Sequence, residues 1–228
     1  MVRGETAEHL GRVLRAERGQ LYELSDGASV WLACIESVAL SRRGESQIEF
    51  MLLEPIAARE PHIALQLFIS IVKFERFEWC LEKATELGAN EIVPLAAARS
   101  DKPLVDAANK RLARWKKVLV ESAQQARRLR APKLSRVASP EDAFPAAVAD
   151  CKILLSERAD APPLREIARP GIDLRSAALA IGPEGGWNDK EIEASFAAGF
   201  QEASLGESIL RTETAVIAAT SIMRFAIG

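Results

Sequence analysis

Two glycine turns in the C-terminal part of this 228-residue chain carry the residues best suited to chemistry. The first covers residues 181–186 and follows a short apolar run. The second covers residues 205–210 and leads into a long apolar segment that starts with Arg211 and Glu213. Glycine adopts backbone angles closed to other residues and lets a ligand approach the main chain. The pattern predicts a pocket lined by peptide groups, beside a guanidinium and a carboxylate that could stabilise charge or accept a proton.

The residues of the first turn restrict the ligand that such a pocket could take. They lack the spacing of a dinucleotide fingerprint or of a phosphate-binding P-loop. Pro183 removes a backbone donor and Glu184 adds a negative charge, and both disfavour a phosphate. A neutral or cationic ligand is therefore favoured, and the alternative is a tight connection that holds no ligand.

A basic stretch between residues 110 and 136 stands out in a nearly neutral chain, whose 30 basic and 32 acidic residues give a net charge of −2. Only one acid, Glu121, lies among its ten Lys and Arg residues. These are Lys110, Arg111, Arg114, Lys116, Lys117, Arg127, Arg128, Arg130, Lys133 and Arg136. Phosphate backbones require such a concentration of charge, so a surface that binds RNA is favoured over an ordinary solvated helix face.

The overall composition predicts a globular protein of one large or two small domains, with 48% hydrophobic residues available for a core. Cys34, Cys80 and Cys151 are scattered in apolar contexts without metal-ligand spacing. We therefore expect reduced thiols, no disulfide framework and no metal site. The polar N-terminal segment and the lack of a long apolar run predict a cytoplasmic protein.

A change of texture along the chain predicts two domains, a small β domain at 1–66 and an α/β domain at 67–228. Strand patterns lie at residues 21–24, 28–35, 47–52, 64–72, 91–95, 153–156 and 177–181. Helical patterns lie at residues 75–87, from 106 onward, and at 189–199 and 211–227. Asp106 and Asn188 are expected to cap the second and third of these helices. The alternation of strands and helices after residue 64 predicts a mostly parallel sheet covered by helices.

The two glycine turns, taken together, resemble a known family. The sequence GPEGG at 182–186, followed by LG-x-x-ILR-x-ETA at 205–215, resembles the RsmE-type 16S rRNA uridine-N3 methyltransferases of the SPOUT class. Segments 9–15 (HLGRVLR), 73–78 (KFERFE) and 121–132 are similar to motifs of the same family. The resemblance implies S-adenosylmethionine as cofactor, small-subunit rRNA as substrate and a homodimer. It also implies a deep trefoil knot in the C-terminal domain and a PUA-like, RNA-binding β-barrel at the N-terminus.

The resemblance further implies roles for individual residues. The expected cofactor-binding residues are Leu155, Glu157, Ile181, Gly182, Pro183, Glu184, Gly185, Gly186, Leu205, Gly206, Ile209 and Leu210. The expected RNA-binding residues are Arg12, Arg15, Lys73, Arg127 and Arg130. Arg211 is expected to orient the uridine and to stabilise the negative charge that develops as N3 loses its proton, with Arg128 as a second candidate supplied across the dimer. Glu213 is a third candidate, either as proton acceptor or as a carboxylate that caps the helix or pairs with Arg211.

Two departures from the family pattern bear on RNA binding. Ser208 stands where the family often has arginine. The first strand of the β domain is expected to be absent or its start trimmed, because only eight mostly polar residues precede His9. The alternatives to uridine-N3 methylation are the same chemistry on another RNA or atom, and a non-catalytic RNA-binding module. Binding of S-adenosylmethionine separates both enzymes from the module.

Overall fold

The computed structural model describes residues 1–41, 44–57, 63–158, 160–169 and 174–227. The chain divides into two compact units, Met1–Glu60 and Pro61–Gly228. The division falls a few residues before the predicted boundary at residue 66.

The smaller unit is built on a four-stranded antiparallel sheet. Its strands are β1 (Val2–Arg3), β2 (Leu21–Ser25), β3 (Val30–Ala39) and β4 (Gln47–Ile56), in the order β1-β4-β3-β2. A short helix, α1 (Glu5–Glu8), continues into a π-helical turn at His9–Val13. The first strand, expected to be absent or trimmed at its start, is present as two residues that pair with the start of β4.

Local chemistry sets the β2–β3 hairpin and the small core beneath it. Asp26 accepts hydrogen bonds at Oδ1 from the backbone N–H groups of Ser29 (2.7 Å) and Ala28 (2.8 Å), and these bonds lower the pKa of its carboxyl group. The predicted alternation in β4 holds at Ile48, which is fully buried, but Leu52 is 52% exposed. The burial of β4 is therefore confined to its first half.

The larger unit contains a six-stranded sheet in which every neighbouring pair is parallel. Its strands are β5 (Ala64–Ser70), β6 (Glu91–Leu95), β7 (Lys133–Leu134), β8 (Cys151–Leu155), β9 (Ser176–Ile181) and β10 (Gln201–Ala203). Their order is β10-β8-β9-β5-β6-β7. Its helices are α2 (Phe74–Glu86), α3 (Lys102–Ala108), α4 (Leu112–Gln125), α5 (Pro140–Ala143), α6 (Leu164–Ile167), α7 (Asp189–Ala197) and α8 (Thr212–Ile227).

Both faces of this sheet are buried, as the apolar runs predict. Leu67 and Ile69 of β5 belong to a core shared with α2, α4 and α8, whereas Phe68 belongs to a second core that includes residues of α5 and α7. Successive side chains of a strand point to opposite faces, so one apolar strand supplies both cores. The prediction of a small β unit joined to an α/β unit with a mostly parallel sheet is confirmed, while the trefoil knot stays a prediction.

Helix ends follow the sequence signals except at one position. Asn188 caps α7 as predicted, in a capping box in which its side chain accepts from the Glu191 N–H and Glu191 accepts from the Asn188 N–H. The predicted cap at Asp106 is wrong, because Asp106 lies inside α3, which begins after Asp101 with a proline in its first turn. Among the described residues, no helix is both long enough and apolar enough to cross a bilayer.

Candidate functional site

A cleft of about 490 Å³ lies where β8, β9 and β10 end. Parallel strands bring their carboxyl ends to one edge of a sheet, so the segments that follow these three neighbouring strands meet there. They are residues 156–158 after β8, 182–187 after β9 and 204–210 after β10. The volume falls within the range of about 300–1,000 Å³ that small-molecule sites occupy.

Eleven of the twelve predicted cofactor-binding residues line this cleft. They are Leu155, Glu157, Ile181, Gly182, Pro183, Gly185, Gly186, Leu205, Gly206, Ile209 and Leu210. Glu184 is exposed and forms an ion pair with Arg76 of α2. The two glycine turns predicted to face one ligand are thus brought together.

Three side chains of the cleft wall hold its backbone in place. The Trp187 Nε1–H donates to the Leu155 carbonyl (2.9 Å) and the Thr212 hydroxyl donates to the Gly182 carbonyl (3.0 Å). Arg99, from the segment after β6, donates to the Gly185 carbonyl (2.7 Å). Trp187, Thr212 and Arg99 also line the cleft, and the sequence analysis missed all three. Trp187 directly follows the glycine turn and Thr212 lies inside the second motif, but nothing local to Arg99 indicates its position.

Two glycines of the first turn lie where a larger residue would be crowded. A Cβ atom on Gly182 would lie 3.1 Å from Cε2 of Trp187, and one on Gly185 would lie 3.2 Å from Cβ of Arg99. Gly206 of the second turn has a φ of +123°, which side-chain-bearing residues rarely adopt. The first turn therefore uses glycine for space and, at Gly186 (φ +69°), for backbone angle, whereas the second uses it for backbone angle.

The surface of the cleft combines unpaired backbone donors, apolar side chains and opposite charges. The N–H groups of residues 207–210 donate to no group that the structure describes, so they are available to a ligand. Leu155, Ile181 and Leu205 supply apolar wall. The cleft carries three carboxylates, at Glu157, Asp189 and Glu207, and two guanidinium groups, at Arg99 and Arg158. This mixture fits a ligand with an apolar ring, hydrogen-bonding edges and a positive centre.

The predicted catalytic residues Arg211 and Glu213 occupy different environments. Arg211 is exposed and does not itself line the cleft, although Leu210 and Thr212 on either side of it do. Glu213 is 5% exposed, lies in the first turn of α8, and pairs with Nε of Arg76 at 3.7 Å rather than with Arg211. Its second oxygen, Oε2, has no hydrogen-bond partner among the described residues.

Arg128 lies beyond the end of α4 and does not line the cleft of its own chain. Its Nη1 donates to the Thr85 carbonyl at the end of α2 (2.9 Å). Burial, and then the nearby charge of Arg224, lower the pKa of its guanidinium. The structure thus places two cationic side chains near each other on α8 and after α4.

The basic stretch forms a largely exposed surface whose charge is partly neutralised. Arg114 donates to both carboxylate oxygens of Glu78 (2.6 and 2.7 Å), and Lys133 pairs with Glu91 (2.8 Å). Lys117 lies 3.8 Å from Glu121. Arg111 stacks over the Phe74 ring at 4.8 Å. Lys110, Lys116 and Arg136 are exposed and have no ion pair within the part of the chain that the structure describes.

The remaining predicted RNA-binding residues are exposed cations. Arg12, in the smaller unit, donates to the Ser41 carbonyl (2.7 Å) and lies 3.5 Å from Glu8. Arg15 has a φ of +52°, and so does Arg127 in the larger unit. Lys73 immediately precedes α2, and Arg130 follows Arg127 beyond α4.

Comparisons with known proteins find RNA methyltransferases and proteins solved with S-adenosylmethionine. A sequence model of the RNA methyltransferase domain matches residues 59–224. A Synechocystis protein named ribosomal RNA small subunit methyltransferase E is 32% identical over 91% of this chain, and the chain spans 66% of that protein's length. A Legionella pneumophila protein solved with the bound cofactor SAM has a TM-score of 0.83 and 30% identity, over 100% of this chain and 92% of its own. A ribosomal RNA small subunit methyltransferase E from Neisseria gonorrhoeae, bound to S-adenosyl methionine, has a TM-score of 0.79 and 29% identity, over 97% and 90%.

Proposed function

This chain belongs to the RNA methyltransferase family, and we propose that it transfers a methyl group from S-adenosylmethionine to N3 of a specific uridine in 16S ribosomal RNA. The observation that carries the proposal is the cleft that the segments after β8, β9 and β10 form together. Relatives named small subunit methyltransferase E support the rRNA substrate, and neighbours with the bound cofactor support its identity. The position methylated rests on the family resemblance of the two glycine turns.

The cofactor contributes, when bound, a methyl group on a positively charged sulfur. The residues that would hold it are those of the three segments around the cleft. Unpaired N–H groups at 207–210 can read the edge of a base, and Ile209 and Leu210 can pack on its ring. Glu157 is suited to ribose hydroxyls, and the carboxylates of Asp189 and Glu207 favour a positive centre over a phosphate.

The uridine presents a different problem, because its N3 carries an imide proton. That proton must leave before the nitrogen lone pair can attack, and negative charge then develops on O2 and O4. A guanidinium placed against these oxygens lowers the free energy of the anion. We assign this role to Arg211, which is exposed and lies in the chain between two residues that line the cleft, Leu210 and Thr212. Proton release to water is then sufficient, because alignment of the reacting atoms supplies much of the rate enhancement.

We propose further that the protein acts as a homodimer in the cytoplasm. Arg128 does not line the cleft of its own chain, so a contribution to catalysis would come from a second copy. Phe225 near the end of α8 is 76% exposed, which is unusual for an aromatic side chain on a mostly apolar helix and suits an interface. Sedimentation at micromolar concentration should return the dimer, and a monomer would contradict this part of the proposal.

RNA binding is assigned to the basic surface and to the smaller unit. Lys73, Arg127 and Arg130 would contact phosphates from the larger unit. The smaller unit would act as a PUA-like RNA-binding domain, with Arg12 and Arg15 as its contacts, and the larger would be a knotted SPOUT domain.

The decisive experiment uses tritiated S-adenosylmethionine and small ribosomal subunits from a strain that lacks the endogenous enzyme. The expected result is one methyl group per subunit, recovered as N3-methyluridine after digestion to nucleosides. Label in a different nucleoside, or label only when large ribosomal subunits are supplied in place of small ones, would replace the proposal by methylation of another atom or RNA. RNA binding without any label, together with no cofactor binding by calorimetry, would indicate a non-catalytic RNA-binding module.

A further inference from the structure

Arg76 connects three parts of the larger unit that are distant in sequence. It lies in the first turn of α2, and its guanidinium pairs with Glu184 in the first glycine turn. The Nε atom of the same guanidinium lies 3.7 Å from Oε1 of Glu213 in the first turn of α8. One cation therefore connects the first glycine turn to the first turn of α8. We call Arg76, Glu184 and Glu213 the Arg76 bridge.

The two carboxylates of the bridge differ greatly in exposure. The side chain of Glu184 is 47% exposed, whereas that of Glu213 is 6% exposed. A carboxylate removed from water is strongly destabilised unless a cation or hydrogen-bond donors replace its solvation. Oε2 of Glu213 has no partner among the described residues, so Arg76 is the main compensation that the structure shows for this charge. The negative charge of Glu213 also acts on a nearby thiol: burial, and then Glu213, raise the pKa of Cys80 to about 12.

The bridge acts on the cleft without entering it. None of its three residues lines the cleft, but Thr212, beside Glu213, does so and donates its hydroxyl hydrogen bond to the Gly182 carbonyl. Gly185, beside Glu184, also lines the cleft and accepts from Arg99. The first turn of α8 and the glycine turn are thus joined twice, once directly through Thr212 and once through Arg76.

We propose that Arg76 is a positioning residue, which holds the glycine turn 182–186 against α8 so that the cofactor cleft is formed before the ligand arrives. Without it, the turn would sample other shapes, and cofactor binding would have to select the competent one. Affinity falls by the fraction of molecules in the competent shape. The proposal deepens the proposed function and rests on it, because the ligand whose affinity changes is the one assigned there.

The test compares variants at the two ends of the bridge with a control on the same helix. Arg76→Met should weaken binding of S-adenosylmethionine by about tenfold, if roughly a tenth of molecules keep the competent shape. Glu184→Gln should weaken it less, because that carboxylate is exposed and its pairing is screened by water. Lys83→Met is the matched control. Lys83 also lies on α2 and contacts two carboxylates, Glu82 and Glu86, and its side chain is 28% exposed against 32% for Arg76. Lys83→Met should bind S-adenosylmethionine as tightly as the unaltered protein does.

Two further measurements separate positioning from a general loss of stability. Hydrogen exchange of the full chain without ligand should show faster exchange for the amides of 182–187 in Arg76→Met, and no such change in Lys83→Met. The double variant Arg76→Met with Glu184→Gln should bind the cofactor no more weakly than Arg76→Met alone, because both act through one bridge. Arg76→Lys keeps the charge but loses the forked geometry of the guanidinium. Its affinity for the cofactor should lie between those of the unaltered protein and Arg76→Met.

The outcomes distinguish this inference from the function on which it rests. If the unaltered protein does not bind S-adenosylmethionine, the proposed function fails, and exchange at 182–187 still decides whether the bridge holds the turn. If the unaltered protein binds and both Arg76→Met and Glu184→Gln bind equally well, with unchanged exchange, the proposal is overturned. Should Arg76→Met fail to fold, Glu184→Gln, whose altered side chain is largely solvated, decides the question alone.

Discussion

The cleft and the basic surface both lie in the larger unit, and they differ in the atoms that they present. The cleft offers main-chain groups, which are held by bonds from Trp187 and Thr212 behind them. The basic surface offers the ends of long side chains, each on its own stem and several already paired with a nearby acid, as Arg114 is with Glu78. A site made of fixed backbone fails as a unit, because its parts share one geometry. A surface made of independent charges loses strength in steps, and salt weakens it.

Arg211 provides the largest test, because it is a charged side chain at the edge of a backbone-built cleft. Arg211→Ala should lower kcat about 100- to 1,000-fold, since a group that stabilises developing negative charge is worth that much in comparable sites. Cofactor affinity measured by calorimetry should stay within about twofold, because the backbone of 205–210 is unchanged. Arg211→Lys should recover part of the rate. A loss of cofactor affinity that matches the loss of rate would assign Arg211 to the cleft framework instead.

Gly182→Ala tests the cleft itself. The added Cβ would lie 3.1 Å from the Trp187 ring, so the indole must move, although its N–H holds the Leu155 carbonyl. Overpacking of this kind costs about 1–3 kcal/mol, which corresponds to a loss of cofactor affinity of about 5- to 150-fold if the strain is relieved only in the unbound shape.

The control for Gly182→Ala is Gly44→Ala in the smaller unit, where the nearest atom to the added Cβ is the Ser41 hydroxyl oxygen at 3.1 Å. The Ser41 hydroxyl accepts a hydrogen bond from the Gly44 N–H (2.7 Å), so the substitution strains the smaller unit in a comparable way. Because Gly44 lies outside the cleft, cofactor affinity should not change. Equal affinity of Gly182→Ala and the unaltered protein would show that the cleft tolerates changes in shape, contrary to the comparison with the basic surface.

Lys116, Arg114 and Glu78 sharpen the comparison on the side of the basic surface. Lys116→Ala should weaken RNA binding several-fold and lower the slope of log affinity against log salt by about 0.7–0.9, as expected for one lost phosphate contact. Arg114→Ala should have less effect, because Glu78 already holds that guanidinium with two hydrogen bonds. Glu78→Gln should strengthen RNA binding, because it releases the Arg114 guanidinium from its carboxylate partner. Filter binding at several salt concentrations measures all three, and identical effects of Lys116→Ala and Arg114→Ala would contradict the role assigned to local pairing.

The same contrast explains which parts of the site could be predicted from the sequence. Glycine turns and a run of basic residues are local patterns that can be read from the sequence, and the structure brings the two glycine turns to one cleft. The partners of Glu213 and Gly185 are not local: Arg76 and Arg99 lie more than eighty residues earlier in the chain. Only the strand order, with β5 between β9 and β6, brings α2 and the segment after β6 to the glycine turn. Periodicity predicts the strands but does not order them in the sheet.

Prediction of the fold meets a similar limit at α3 and α4, the helices that lead into and carry the first half of the basic stretch. Leu112, Trp115 and Leu119 give the helical spacing, and Trp115 and Leu119 are buried as expected. The pattern did not predict a 3₁₀ turn at Asn109–Arg111, which separates α3 from α4. Asp106 is a residue type that often caps helices, but α3 begins earlier, at Lys102 and Pro103 after Asp101. Propensity ranks candidate caps, and packing of the following segment selects among them.

Thiol reactivity gives the smallest expected effect and tests whether α2 and α8 stay packed against each other. Burial, and then the charge of Glu213, raise the pKa of Cys80 to about 12, so its thiol stays protonated well above the pH at which an ordinary cysteine ionises. Alkylation of the folded protein at pH 8.5 should modify the half-buried Cys34 and leave Cys80 unmodified. Unfolding lowers the pKa of Cys80 to its usual value, so folding holds an extra proton between these two pKa values and stability should fall as pH rises through that window. Peptide mapping after iodoacetamide treatment distinguishes the sites. Modification of Cys80 at the rate of Cys34 would mean that α2 and α8, which share one hydrophobic core with Cys80, separate readily.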